Sequence, residues 1–312
     1  PGLDSSSRLP LVGGIAIIIS VASSFGIAAL LNREVLWPVL VVGLVFFGLG
    51  FGDDILKSPL IAGTGFSERS SMLLALAGSI IGSFVLVAGL DANEGSPFSL
   101  WHWVGSGTGG AVLMFLWVAA LLLVVTVGTG ISDGIDGLTP GLAVLAAGSI
   151  VAAAGVQQIG APASSALTGA CLGFLALNLP SNWTKGSGSR RFAKAYLGDS
   201  GALAIGALLA GSAMAAGIDL ILPVIVGVYL LEGFSSLFQA KIMVPIYRRL
   251  AFLGGSDRAS VHYSEFPLPF VATPLHHHLE LIGMSRGRIA ALLYGIGTAL
   301  ALNGTTAHAF AH

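Results

Sequence analysis

The sequence predicts an all-α fold, a polytopic bundle of about nine transmembrane helices. Of its 312 residues, 54% are apolar and only 9% are charged, whereas about 25% are charged in ordinary soluble domains. Mean hydropathy is +0.88, and the 44 glycines suit the close helix packing found in lipid. This composition excludes a disordered chain, a nucleic-acid-binding protein and almost any soluble enzyme. The class that remains is a polytopic protein embedded in a membrane.

Nine apolar runs of about 20 residues are long enough to cross a bilayer. We place the nine predicted spans at 11–31, 36–52, 70–90, 109–128, 138–156, 162–179, 198–216, 218–242 and 288–307. No long polar stretch separates them, so residues 1–312 are expected to form a single integral-membrane domain. The chain opens abruptly at Pro1 without a signal-peptide pattern, and we expect an N-terminal piece to be missing.

The basic residues divide unequally between the two sides of this predicted bundle. Of the 14 Lys and Arg residues, Arg33 alone falls in an even-numbered loop, counting the N-terminal stub as the first loop. Loops rich in Lys and Arg stay in the cytoplasm, so the odd-numbered side is assigned to the cytoplasm. A wrongly assigned span would reverse the side assigned to every later loop and mix the basic residues between the two sides. The unequal division therefore also supports the number of spans.

Five aspartates share one location, the cytoplasmic ends of the spans. They are Asp53, Asp54, Asp133, Asp136 and Asp199. Hard oxygen ligands of this kind suit Mg²⁺, with Mn²⁺ as the alternative ion. Adjacent carboxylates repel each other at a membrane boundary unless a metal ion or Lys57 compensates. The alternative interpretation is that these aspartates are solvated loop ends, tight turns and helix N-caps.

Three consecutive histidines, His276, His277 and His278, follow a proline in the last cytoplasmic loop. Neighbouring imidazoles do not easily chelate one zinc ion from a helix face, because zinc pairs use i, i+4 spacing. Imidazoles do suit phosphate binding and proton donation, so phosphate is favoured over zinc. In the eighth span, Glu232 and Gln239 face either a cavity or a neighbouring helix.

Five motifs follow one another along the chain. They are Pro10-Leu11-Val12-Gly13-Gly14, Asp53-Asp54-x-x-Lys57, Ser132-Asp133-Gly134-Ile135-Asp136-Gly137-Leu138, Tyr196-Leu197-Gly198-Asp199-Ser200-Gly201 and His276-His277-His278-Leu279-Glu280. Together they resemble the polyprenyl-phosphate N-acetylhexosamine-1-phosphate transferase superfamily over nearly the whole chain. The histidine run is most similar to the phospho-N-acetylmuramoyl-pentapeptide transferase branch. Relatives that use UDP-N-acetylglucosamine usually have a His-Ile-His-His pattern.

The resemblance implies a ten-helix fold, which nine spans starting in the cytoplasm match if the first helix is missing. It implies transfer of phospho-N-acetylmuramoyl-pentapeptide from UDP to undecaprenyl phosphate, giving lipid I and UMP for peptidoglycan synthesis. Mg²⁺ is the expected cofactor. The expected partners are a UDP-linked amino sugar and a polyprenyl phosphate lipid, with no nucleic acid. The expected location is the bacterial plasma membrane with the active site on the cytoplasmic face, and a homodimer is the candidate assembly.

The resemblance also assigns roles to individual residues. It places Asp199 on Mg²⁺, Asp53 and Asp54 at the reacting phosphates with Lys57 as their counter-charge, and Tyr196 against the uracil. The predicted catalytic residues are Asp53, Asp54, Asp199 and His276. The predicted substrate-binding residues are Lys57, Asp133, Asp136, Asn178, Tyr196, Gln239, His277 and His278.

Several positions depart from the family pattern and leave alternatives open. Gly130 stands where an Asn is usual, a basic insertion occupies 181–194, and no second lysine follows the Asp-Asp motif near residues 69–71. The donor could therefore be UDP-N-acetylglucosamine or a related sugar. A transporter, the rival from another class, would need polar residues near the bilayer midplane on broken helices, whereas the acidic motifs here lie at one face. Direct attack and a phospho-enzyme intermediate both remain open.

Overall fold

A computed structural model describes residues 13–31, 33, 35–58, 63–91, 96–154, 161–179, 193–253 and 268–309. Within these ranges the chain forms 13 α-helices and one π-helical segment, and no strand. Pro10 to Val12 of the first motif, and Lys185, Arg190 and Arg191 of the basic insertion, lie outside the described residues. Lys194, the last basic residue of the insertion, is exposed.

The helices are bounded as follows. They are α1 (Gly13–Leu30), α2 (Trp37–Leu56), α3 (Glu68–Gly89), α4 (Leu100–Val104), α5 (Thr108–Ser132), α6 (Leu138–Ala154), α7 (Ala161–Asn178), α8 (Gly198–Ala215), α9 (Leu222–Ile225), α10 (Gly227–Leu237), the π-helical segment (Phe238–Met243), α11 (Val244–Leu253), α12 (Leu275–Leu281) and α13 (Arg286–Ala309).

The predicted all-α membrane fold is confirmed. In the part of the chain that the structure describes, α6 and α7 occupy the predicted spans 138–156 and 162–179 but are not among the helices long and apolar enough to cross a membrane, and the predicted span 218–242 differs in form. Among the described residues, six helices are long and apolar enough to cross a membrane: α1, α2, α3, α5, α8 and α13. The predicted eighth span, 218–242, is not one continuous helix but a turn followed by α9, α10 and the π-helical segment. Gly217 adopts a φ of 66° in that turn, and Pro223 falls in the first turn of α9, a position that proline favours.

Helix α8 lies at the centre of the bundle, since 83% of its span is buried. Small residues allow this position because they let neighbouring helix backbones approach closely. A Cβ on Gly206 would lie 2.8 Å from Thr126 Cα of α5, and a Cβ on Gly43 of α2 would lie 2.7 Å from Leu208 Cδ2. Helix α8, whose first turn contains Asp199, is therefore packed closely between α2 and α5.

At the end of the bundle opposite Asp199, the fully buried Asp219 holds several helices together. Its Oδ2 accepts hydrogen bonds from the Leu100 N–H at 3.1 Å and the Trp117 Nε1–H at 2.9 Å. Burial raises the pKa of this carboxyl. Asp219 thus anchors α4 against α5 and the turn after α8, at the opposite end of α8 from Asp199.

Candidate active site

Asp53, Lys57 and Asp199 form an ion cluster where the end of α2 meets the start of α8. Lys57 Nζ lies 2.5 Å from Asp53 Oδ2 and also contacts Asp199 Oδ2. Burial lowers the pKa of Lys57, but the Asp199 and Asp53 carboxylates outweigh burial and raise it above its ordinary value. Lys57 is therefore a fixed positive charge between Asp53 and Asp199, and its predicted role as a counter-charge at the reacting phosphates stays a prediction.

Asp54 has a different role from its neighbour Asp53. Its two carboxylate oxygens accept the backbone N–H groups of Asp199 and Ser200, each at 3.0 Å. Asp54 therefore caps the first turn of α8 from another helix, satisfying donors that a helix N-terminus leaves unpaired. Gly198 has a φ of 73°, and a Cβ there would lie 2.7 Å from Asp54 Oδ2. The capping interaction thus requires glycine at position 198 and fixes the orientation of Asp199.

The central turn, residues 133–137, brings further carboxylates to the same place. Asp133 ends α5 and accepts a hydrogen bond from the Gly198 backbone. Burial raises the pKa of Asp133, and the charges of Asp199, Asp136 and Asp54 raise it further. Burial also raises the pKa of Asp136, against the lowering effect of Arg286. The cluster therefore gathers several carboxylates around a single lysine.

This donor set fits a divalent cation, because the carboxylates outnumber the lysine and offer hard oxygen ligands. Among the described residues, no group of three His, Cys, Asp or Glu side chains is arranged to hold a metal ion by itself. Mg²⁺ is commonly held by one or two carboxylates together with substrate phosphates and water. Asp199 could hold Mg²⁺ in that way, whereas both oxygens of Asp53 and both oxygens of Asp54 are already engaged by Lys57 or by backbone N–H groups.

The three histidines have three different environments. The His276 side chain is 1% exposed, and its Nδ1 lies 3.0 Å from Glu232 Oε2 of α10. The His277 side chain is 45% exposed, and its Nδ1 lies 3.1 Å from Glu280. Nδ1 of His278 accepts the Val271 N–H at 3.1 Å. Of the three, His277 is therefore the best placed to reach a soluble ligand.

His276 packs against the central turn rather than facing solvent. Glu232 Oε2 accepts the His276 backbone N–H at 3.3 Å as well as facing Nδ1. A Cβ on Gly134 would lie 2.1 Å from His276 Nε2, so the ring fits only because residue 134 is glycine. The Glu232–His276 pair fixes the position of this turn, and sequence reasoning had left Glu232 without an assigned role.

Asn178 and Gln239 are both buried and both bind backbone. Asn178 Oδ1 accepts the Gly137 N–H at 2.6 Å, and its Nδ2 donates to the Ala195 carbonyl at 2.9 Å. Gln239 donates to the Phe270 carbonyl at 2.9 Å and accepts the Phe270 N–H at 3.0 Å. These amides hold loops of the site together, and their predicted contact with substrate stays a prediction.

The segment before α8 is joined to the start of α1. The Gly13 and Gly14 N–H groups donate to the Tyr196 and Leu197 carbonyls at 3.0 and 3.1 Å. A Cβ on Gly13 would lie 2.5 Å from Leu197 Cα, so the close approach requires glycine there. The described part of the first motif thus positions Tyr196 and Asp199 from outside their own helix.

A groove of about 300 Å³ leads to the ion cluster from between α3, α5 and α10. Its wall is mainly apolar and includes Leu49, Met72 and Val127, while Asp53 and Asp199, whose side chains are 11% and 33% exposed, line its less exposed inner end. Glu68 and Lys241 also line the groove, which no sequence pattern indicates because the two residues lie far apart along the chain. An apolar groove that ends on carboxylates and a lysine suits a ligand with an apolar tail and an anionic head.

Comparison with known proteins gives a consistent set of relatives. The family model for glycosyl transferase family 4 matches residues 36–217. The phospho-N-acetylmuramoyl-pentapeptide-transferase of Moorella thermoacetica is 30% identical over 314 residues, covering 95% of this chain and 83% of that protein. The protein of the same name from Desulforamulus reducens is 30% identical over 293 residues, covering 90% and 76%. That of Shouchella clausii is 29% identical over 303 residues, covering 96% and 83%.

Proposed function

The chain belongs to glycosyl transferase family 4, and on that premise we propose that it transfers phospho-N-acetylmuramoyl-pentapeptide from UDP to undecaprenyl phosphate. The products are lipid I and UMP, for peptidoglycan synthesis. The observation that carries this proposal is that the apolar groove is lined at one end by Asp53 and Asp199, which both pair with Lys57. Relatives of 30% identity over most of the chain bear the name of this enzyme.

The two substrates would approach the cluster from different directions. The isoprenoid chain of the lipid would lie against the apolar wall of the groove, with its phosphate towards Asp53 and Asp199. The UDP-sugar would lie on the aqueous side, near Tyr196, the central turn and the half-exposed His277. The excess of basic residues on this side of the bundle supports a site on the cytoplasmic face of a bacterial plasma membrane. A homodimer stays a prediction.

The reaction would form a bond between an oxygen of the lipid phosphate and the β-phosphorus of the donor. The bond between that phosphorus and the bridging oxygen breaks, and UMP leaves with the electron pair. Lys57 would stabilise charge on the phosphate oxygens, and preorganised charges of this kind are usually a large part of catalysis. Mg²⁺, held by Asp199, would supply Lewis-acid stabilisation of the diphosphate.

The geometry supports direct attack rather than an aspartyl intermediate on Asp53. Asp53 Oδ2 pairs with Lys57 and Oδ1 accepts the Phe66 N–H, so both of its oxygens are engaged. A phosphate monoester has a second pKa of about 6, so the lipid phosphate is already largely ionised near neutral pH. A general base therefore has little to remove, and Asp53 would act by orienting Lys57.

The test is formation of radiolabelled lipid product by the purified protein, with and without Mg²⁺. Product from UDP-N-acetylmuramoyl-pentapeptide, and little from UDP-N-acetylglucosamine, is the expected result. The opposite preference would favour the related N-acetylglucosamine transferase activity. Absence of lipid product from either donor in the presence of Mg²⁺ would contradict the proposal.

Replacement of Tyr196 tests the predicted donor side of the site. Tyr196→Ala should weaken UDP-sugar binding by roughly 1–3 kcal/mol, the scale of base–aromatic stacking, because an aromatic face would be lost beside the uracil. Tyr196→Phe, the matched control, should bind almost as tightly as the parent. Calorimetric titration with UDP-sugar measures both. Equal damage from Phe and Ala would show that the hydroxyl matters and that stacking is the wrong explanation.

A further inference from the structure

The groove carries a lysine that the proposed mechanism does not use. Lys241 is the one basic residue among the described residues that line it, whereas Asp53, Glu68 and Asp199 contribute three carboxylates. Lys241 Nζ pairs with Glu68 Oε1, and these side chains are 50% and 70% exposed. The ion pair thus lies at the open mouth of the groove and connects the π-helical segment to the first turn of α3.

The π-helical segment holds Lys241 in this direction. Gln239, two residues earlier, is buried and bonded through both amide atoms to the Phe270 backbone. Ala240 and Lys241 face the groove instead. Because the Gln239 hydrogen bonds anchor the segment, the Lys241 backbone is held in place, while the Lys241 ammonium group stays accessible. A π-helical turn within a helix is frequently found at a functional site.

An anionic headgroup entering this groove meets an unfavourable field unless a cation accompanies it. Glu68 lies at the mouth, and Asp53 and Asp199 lie at the inner end. Lys57 is already shared between Asp53 and Asp199, which leaves Lys241 as the described groove cation that can turn to a new anion. Exposed ion pairs contribute little to stability, so exchanging Glu68 for a phosphate costs little.

We propose that Lys241 binds the phosphate of the lipid substrate as it enters the groove, and that Glu68 is the resident counter-ion that this phosphate displaces. The inference rests on the proposed function. Lys241 then contributes to capture of the lipid and not to the chemical step, which takes place at the inner end of the groove. It is a specificity determinant for a phosphate head on an apolar tail.

Kinetics with a short-chain prenyl phosphate in detergent test the assignment. Lys241→Gln should raise KM for the prenyl phosphate about five-fold, the scale of one lysine acting on an anionic lipid surface. KM for the UDP-sugar and kcat should stay near the parent values, and Lys241→Arg should recover most of the loss. Glu68→Gln should lower KM for the prenyl phosphate, because Lys241 loses its competing partner.

Two controls separate headgroup binding from general effects of charge and packing. Arg69→Gln removes the same charge from the neighbouring exposed position, which does not line the groove, and should leave KM unchanged. The uncharged prenyl alcohol, used as a competitive inhibitor, should bind the parent and Lys241→Gln equally, since its tail contacts are unaltered.

The inference is overturned if Lys241→Gln leaves KM for the prenyl phosphate unchanged, or weakens phosphate and alcohol equally. It is also overturned if Arg69→Gln has the same effect as Lys241→Gln. A parent protein that makes no lipid product would contradict the proposed function alone. Direct binding of radiolabelled prenyl phosphate would then still test the Lys241 assignment. Weaker binding to Lys241→Gln than to the parent supports it, and equal binding contradicts it.

Discussion

Replacing Asp199 with Asn is expected to abolish Mg²⁺-dependent turnover, with a loss of roughly a thousand-fold or more on the scale of lost electrostatic and metal stabilisation. The change removes the carboxylate charge that faces Lys57 and that we propose as the main metal ligand. The backbone N–H of residue 199 would still bond to Asp54, so α8 should keep its cap. Lipid-product formation across a range of Mg²⁺ concentrations measures the effect.

Folding of this variant is checked by its thermal unfolding in detergent, which should stay close to that of the parent. Asp91→Asn is the matched control, because Asp91 is an exposed residue beyond the other end of α3 and the same chemical change there should leave turnover unchanged. Near-normal turnover of Asp199→Asn at saturating Mg²⁺ would contradict the metal role of Asp199.

Among single glycine-to-alanine substitutions in the helices around the site, Gly50→Ala is expected to reduce stability and turnover most. A Cβ at position 50 would lie 2.4 Å from the backbone carbon and oxygen of Asp199 and 2.5 Å from the Ser200 nitrogen. Backbone atoms cannot move aside as a side chain can, so α2 and α8 must separate where Asp54 caps α8. Overpacking of this kind costs about 1–3 kcal/mol, and a misplacement of about 1 Å at the site can cost about a hundred-fold in rate.

Gly48→Ala is the matched control on the same helix, because a Cβ at position 48 has no atom within 4 Å. It should leave the unfolding temperature and turnover near the parent values. Unfolding temperature in detergent and lipid-product formation measure both variants. If Gly50→Ala and Gly48→Ala behaved alike, the close contact between α2 and the start of α8 would not matter for the site.

The helical spans and the common position of the acidic motifs could be predicted from the sequence. A bilayer offers no water to the backbone, so apolar runs must be helical and their ends are marked by polar residues. For that reason Asp53, Asp133 and Asp199 could be placed at helix ends before any contact was known. In the structure Lys57 pairs with Asp53 and Asp199, and Asp133 lies close enough to Asp199 for the two charges to interact.

The roles within the cluster could not be predicted in the same way. Asp53 and Asp54 are adjacent and chemically identical, yet Asp53 pairs with Lys57 while Asp54 caps α8. Asn178 and Gln239 match a substrate-binding pattern equally well in sequence, but their amide atoms bond to loop backbone. Partner choice depends on the rotation of each helix about its axis and on which glycines permit close approach.

The sequence by itself therefore determined that this chain is an all-α membrane protein with its acidic motifs at one end, because transfer into lipid depends on composition along the chain. Only the tertiary structure decided that the eighth span is interrupted. It also decided that the buried His276 side chain pairs with Glu232, and that Lys241 forms an ion pair with Glu68 beside the groove. Those outcomes depend on contacts between residues distant in sequence, whose geometry is set by helix packing rather than by hydropathy.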